Sequence, residues 1–182
     1  LETKRIVITG GPGSGKTALI SYLEKEGYAV MHEISREVTL EAQKQGIEQL
    51  FLENPLLFSE KLLEGRLKQF QEARNCAAPV LFYDRGIPDV TAYMDFLQTH
   101  YPKNFSDFCW AHRYDAVFVL PPWAEIYEQD NERYESFDQA EKIFEYLKNG
   151  YRNYGYAIYE VPLGTVKERA QYIIKTVKPS TL

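Results

Sequence analysis

The sequence predicts a three-layer α/β domain built on a parallel, five-stranded sheet. Two observations carry this. Five short apolar runs alternate with stretches of helical spacing, and parallel strands need such crossovers. A glycine-rich octapeptide, GGPGSGKT, stands directly after the first run, where a strand passes into a helix. The chain has 182 residues, a length that suits one domain around a single sizeable core, and residues 1–182 are expected to form it.

Residues 5–9 (RIVIT) form a continuous, largely β-branched run, as expected of a strand buried on both faces. Residues 17–25 have helical composition, and Gly27 stops them. Residues 28–32 are the second strand. Ser35 is the expected N-cap of a helix reaching Lys44. A helix over 59–76 follows, with Leu62, Leu63, Leu67 and Phe70 at helix spacing. The third strand, 79–83, ends at Asp84, and Asp89 is placed to cap a helix over 90–98. The fourth strand, 114–120, is stopped by Pro121-Pro122. A helix over 138–148, a fifth strand over 156–161 and a closing helix over 165–176 complete the chain.

Charge and composition narrow the function. The net charge is −5, without the basic stripe expected of a nucleic-acid binder. No apolar run approaches the roughly 20 residues that a membrane helix needs. Cys76 and Cys109 stand in no Cys-x-x-Cys pair, so no structural zinc site is expected. Two scattered cysteines and no signal-peptide pattern lead to the expectation of a cytoplasmic protein.

Ligands of such sheets bind beyond the carboxyl ends of the strands, so the residues just after each strand matter most. Gly10-x-x-x-x-Gly15-Lys16-Thr17 matches the P-loop pattern in full. Gly11, Pro12, Gly13, Ser14, Gly15, Lys16, Thr17 and Ala18 are expected to cradle phosphates, through their backbone N–H groups at every position but Pro12. Lys16 would reach the β- and γ-phosphates, and the Thr17 hydroxyl would ligate Mg²⁺. Asp84, at the third strand end, would serve Mg²⁺ or act as the base for a substrate hydroxyl. Arg85 beside it suits an anionic substrate or phosphate, or an ion pair with Asp84 or Glu33. Glu33 and Arg36 follow the second strand, at the edge expected to face an acceptor, with Glu33 a second candidate base; the alternative is a capping arrangement at the helix start with an i,i+3 ion pair. His32 is read as a packed core histidine.

A polar stretch after the fourth strand, within 123–137, has the position of a lid. Arg133 is its candidate for stabilising transition-state charge, with Arg152 second. Leu163 and Gly164, in the turn before the last helix, are candidates to lie against a purine, while Thr165 and Glu168 read as a capping box. The five tyrosines Tyr146, Tyr151, Tyr154, Tyr156 and Tyr159 read as packing, since neighbours in sequence cannot all face one ligand.

Together, these residues resemble a family of small bacterial P-loop ATPases identified as AAA-type domains. That family is similar to the ribosylnicotinamide kinase domain of bacterial NAD-biosynthesis regulators and to nucleoside and nucleotide kinases. The resemblance rests on residues 5–17, Glu33 with Arg36-Glu37, Tyr83-Asp84-Arg85-Gly86 with Asp89, Glu128-Gln129-Asp130 with Arg133, and Gly155-Tyr156 leading to Val161-Pro162 and Glu168-Arg169. Asp84-Arg85 is closer to the Asp-Arg of thymidylate kinases than to the ribosylnicotinamide kinases. The resemblance implies sheet order 2-3-1-4-5 and binding of ATP or GTP with Mg²⁺.

The expected activity is transfer of the γ-phosphoryl of ATP to a small nucleoside, nucleotide or similar acceptor. Lys16 and Arg133 would neutralise charge, Thr17 and Asp84 would hold Mg²⁺, and Arg36 and Arg85 would face the acceptor. The alternative is a nucleotide-dependent switch without a small acceptor, as some animal relatives of the family resemble. The guanine-reading Asn-Lys-x-Asp of conventional GTPases is replaced after the fourth strand by Leu120-Pro121-Pro122-Trp123.

Overall fold

The computed structural model describes residues 2–127 and 136–177. Five strands, β1 (Lys4–Gly10), β2 (Ala29–Met31), β3 (Val80–Asp84), β4 (Ala116–Leu120) and β5 (Ile158–Glu160), form one sheet. Its order is β2-β3-β1-β4-β5, and every pairing is parallel. Among the described residues the helices are α1 (Lys16–Lys25), α2 (Ser35–Lys44), α3 (Leu50–Glu53), α4 (Pro55–Glu72), α5 (Pro88–Phe96), α6 (Lys103–Ala111), α7 (Ala124–Tyr127), α8 (Phe137–Asn153) and α9 (Val166–Val177).

The alternation of side chains along β1 explains the three layers. Ile6 and Ile8 point to one face, where Leu19, Ile20 and Leu23 of α1 meet Ala170 and Ile173 of α9. Val7 points to the other, among Leu62, Phe70, Val90, Leu147 and Tyr151. Because both faces are covered, β1, β3 and β4 are buried along nearly their whole lengths, which is why their sequences run apolar without alternation.

Several element boundaries differ from the sequence expectation for identifiable reasons. Ser35 is the first residue of α2 rather than its cap. The acceptor for the first N–H groups is Glu33, whose Oε1 takes Ile34 N–H at 2.9 Å and Ser35 N–H at 3.0 Å. The long helix starts at Pro55, earlier than residue 59, because Asn54 caps it through Leu57 N–H at 3.1 Å and Pro55 suits the first turn. Ser136 and Gln139 make a reciprocal capping box that starts α8 at Phe137. His32 is not a core residue: its side chain is 57% exposed and lies 2.8 Å from Glu24 Oε1. Helix α6 has no counterpart in the sequence reading.

Candidate active site

Strand register gathers the site. Ile8 pairs with Asp84 and Gly10 with Leu120, so the loop after β1 rises between the ends of β3 and β4. Arg85 N–H bonds Ile8 C=O at 3.0 Å and fixes the β3 end against that loop. Met31 pairs with Tyr83, which carries Glu33, two residues on, to the side of Arg85.

The loop itself is held from several sides. Gly13 (φ 71°) and Gly15 (φ 73°) take left-handed backbone that disfavours side chains. Ser14 Oγ donates to Gly11 C=O at 2.8 Å, and Trp123 N–H to Gly13 C=O at 2.8 Å. A Cβ on Gly11 would stand 3.0 Å from Ile143 Cγ2, so α8 packs directly on the loop. The recess above is lined by residues 11–18 with Arg85, Tyr93 and Ile126. All eight predicted phosphate-loop residues are thus together. Lys16, buried, is ion-paired with Asp84 Oδ1. Burial lowers the Lys16 pKa, and the nearby Arg85 charge adds to this against the opposing pull of Asp84. Thr17 and Ala18 are exposed on the open side.

Beside the recess lies a cavity of about 190 Å³ between α2, α3, α4 and α5. Its apolar wall includes Phe51, Phe58, Leu62 and Tyr93, and its charged wall is Glu33, Arg66, Arg85 and Asp89. Arg85 Nε lies 2.6 Å from Glu33 Oε2, and Arg66 Nη2 lies 3.3 Å from Glu33 Oε1. Burial alone would raise the Glu33 pKa. The charges of Arg66 and Arg85, the Ser35 N–H and Lys16 outweigh it and hold the carboxyl at about 2. Arg85 sits with its guanidinium 5.5 Å from the centre of the Tyr93 ring. Arg85 also has φ 70°, a left-handed backbone uncommon outside glycine.

Asp89 is fully buried in the cavity wall and is tied to the end of β1 through Thr9. It accepts from Thr9 Oγ1, from Gly86 N–H at 2.9 Å and from Tyr151 Oη at 2.5 Å, and lies 3.5 Å from Arg85 Nη1. The expectation that it caps α5 is only partly right. Ile87 occupies the cap position without a side-chain bond, while Asp89 closes the preceding turn through Gly86.

Arg66 is the functional candidate the sequence reading lacked. It is buried, donates to Gly86 C=O at 3.1 Å and faces Glu33. Arg36, expected to face the acceptor, is instead exposed on α2 and lines neither the recess nor the cavity. Its position in the first turn points it outward, and Arg66 takes the place beside Glu33. Leu163 is exposed and Gly164 has φ 154°, in a turn that lines neither space; Thr165 and Glu168 close their capping box at 2.8 and 3.2 Å. Arg152 is exposed in the last turn of α8. Arg133, Glu128, Gln129 and Asp130 lie outside the described residues, as does most of the lid-like segment 123–137.

A family profile described as an AAA domain matches residues 5–169. Among solved structures, deoxyadenosine kinase from M. mycoides with products dCMP and a flexible dCDP bound is similar at TM-score 0.65 and 19% identity, over 95% of this chain and 98% of that one. NadR protein in complex with NR is similar at TM-score 0.72 and 18% identity, over 97% of this chain and 50% of that one. NadR in complex with NAD and AMP-PNP gives TM-score 0.70 and 18% identity, over 100% and 52%. The chain thus spans about half of NadR. At such identities the likeness establishes the fold. No curated protein matches the chain by sequence.

Proposed function

This chain belongs to the AAA domain family matched over residues 5–169, and on that premise we propose that it transfers the γ-phosphoryl group of ATP, or of GTP, to a small acceptor hydroxyl. One observation carries the reading: Arg85 and Tyr93 line both the phosphate recess and the neighbouring cavity, so the two spaces adjoin. A triphosphate seated on the loop would present its terminal phosphate to whatever the cavity holds. Proximity of this kind supplies much of the catalysis in phosphoryl transfer. The similar M. mycoides enzyme is a deoxyadenosine kinase, and NadR has been solved with AMP-PNP, which agrees with this reading.

Mg²⁺ suits the residues present. It takes hard oxygen donors, one or two from protein and the rest from phosphate and water. Among the described residues no cluster of three His, Cys, Asp or Glu side chains forms a self-sufficient metal site. The Thr17 hydroxyl and the Asp84 carboxylate flank Lys16 and would hold the ion jointly with the nucleotide; when bound, it would offset phosphate charge. Lys16 would exchange Asp84 for the phosphate oxygens, leaving the carboxylate available to the ion or to the acceptor's hydroxyl proton as the bond from the γ-phosphorus to the ADP oxygen breaks. Glu33, held at about 2, is a weak proton acceptor, so its part is to orient the acceptor hydroxyl and anchor Arg85.

The charge of the cavity narrows the acceptor. Its lining has two arginines, Arg66 and Arg85, against two carboxylates, Glu33 and Asp89. Both cations are already matched, so among the described lining residues a phosphate-bearing acceptor would find no spare charge. An uncharged, partly apolar hydroxyl compound fits better. The decisive measurement is ATP consumption across a panel of nucleosides, nucleoside monophosphates and sugars. Uncharged compounds should raise turnover above background and monophosphates should raise it less. If no compound raises turnover, the switch reading replaces the kinase reading. Lys16→Ala should abolish turnover while circular dichroism still reports a folded chain.

A further inference from the structure

Helix α9 carries an arginine beneath the phosphate loop. Arg169 is 2% exposed, and its Nη1 donates to Ser14 C=O at 2.9 Å. Its Nε and Nη2 are buried and have no hydrogen-bond partner among the described residues. Burial lowers its pKa, and among the described residues no carboxylate is paired with it. Arginine nevertheless stays protonated in proteins. Taking such a cation out of water without a counterion is costly.

The position indicates what is gained. A Cβ placed on Gly15 would stand 2.9 Å from Arg169 Nη1, so the guanidinium lies directly against the loop backbone. Ser14 and Gly15 also line the recess. The side chain is therefore one layer of backbone behind the space where phosphates would sit. By engaging the Ser14 carbonyl, it keeps that oxygen from turning into the recess, where it would repel an anion.

We propose that Arg169 is a positioning residue for a bound polyphosphate, fixing the loop with its carbonyl turned away and setting an unmatched positive charge behind the phosphates. The proposal rests on the nucleotide-binding reading above and extends it to a side chain that need not touch the ligand. The missing countercharge is brought by the ligand itself. A guanidinium that only tied α9 to the loop would stabilise the free protein without needing its charge.

The test measures binding of Mg²⁺-tripolyphosphate by calorimetry to the wild-type chain and to Arg169→Met, Arg169→Gln and Arg169→Lys. Met fills the volume without charge, Gln keeps a donor without charge, and Lys keeps the charge. A unit charge near the phosphates in a partly buried site is worth at least about tenfold in affinity. Met and Gln should each lose that factor, and Lys should return to within about threefold of wild type. Thermal stability of the ligand-free Met variant should equal or exceed wild type, because an apolar side chain replaces an uncompensated ion. If Met does not fold, the Gln and Lys pair gives the same comparison. Affinity in Gln within about twofold of wild type, or a Lys variant as weak as Gln, would overturn the proposal. A wild-type chain that binds neither tripolyphosphate nor Mg²⁺-ATP would overturn the nucleotide reading together with it, whereas unchanged affinity in the variants overturns the role of Arg169 alone.

Discussion

Arg85 bears two demands at once. Its side chain must reach Glu33 at 2.6 Å and Asp89 at 3.5 Å, and its backbone must turn through φ 70° to do so. For a residue with a Cβ this backbone costs roughly 1–2 kcal/mol. Both Arg85→Gly and Arg85→Ala lose the ion pairs, and only glycine relieves the backbone. Urea denaturation should therefore find Arg85→Gly more stable than Arg85→Ala by about 1 kcal/mol. Its partner Glu33 makes a pH-dependent contribution. The folded carboxyl, at about 2, lies below its ordinary value of 4.5, so its stabilisation is complete above about pH 4.5 and fades as pH falls towards 2. The shift corresponds to about 3 kcal/mol. Between pH 5 and 2.5 the urea midpoint of the wild-type chain should fall more steeply than that of Glu33→Gln; parallel curves would show that the pair adds no such stability.

Helices α5 and α8 are the elements on which the charged wall depends, since α5 carries Asp89 and α8 carries Tyr151. Their close approach rests on Gly150, where a Cβ would stand 2.8 Å from Ala92 Cβ. Gly150→Val should push the helices apart and cost about 1–3 kcal/mol, measured by thermal unfolding, despite removing a helix-interior glycine. The elements differ in how far the sequence revealed them. β1, β3 and β4 were legible because burial on both faces leaves an unbroken apolar run. α6 was not, since its nine residues hold a single i, i+3, i+4 set, Phe105, Phe108 and Cys109, too short a pattern for periodicity to register. The loop after β1 was legible because its glycines answer a local backbone need. Arg66 was not, because its partner is 33 residues away. One signal did exist: Arg66 follows Leu62 by four residues and precedes Phe70 by four, so it stands on the buried stripe of α4, where an arginine requires a partner. The Glu33 cap of α2 was legible only as one of two readings, because Ser35 has the better capping chemistry and only the strand end places the carboxylate under Ile34 N–H.

At the scale of the whole molecule, the P-loop, the β3 end and α9 meet only in the folded chain, so a ligand that bridges them should stabilise all of it. β1 leads into the loop at the centre of the sheet, and α9, in the helical layer it shares with α1, supports that loop through Arg169. The unfolded chain has no such cradle. Mg²⁺-ATP at one hundred times its dissociation constant should therefore add about 2.7 kcal/mol to unfolding, by mass action alone. For a chain of this length that is a rise of about 5–10 °C in melting temperature. Lys16→Ala should show a much smaller rise at the same concentration, because the buried cation facing the recess is gone. The comparison separates two meanings of the same loop. A rise in the wild-type chain that persists undiminished in Lys16→Ala would mean that the nucleotide binds somewhere other than the recess lined by residues 11–18. A further rise when an uncharged acceptor is added to a non-hydrolysable ATP analogue would show the adjoining cavity filling beside the occupied loop, which a simple nucleotide switch has no reason to do.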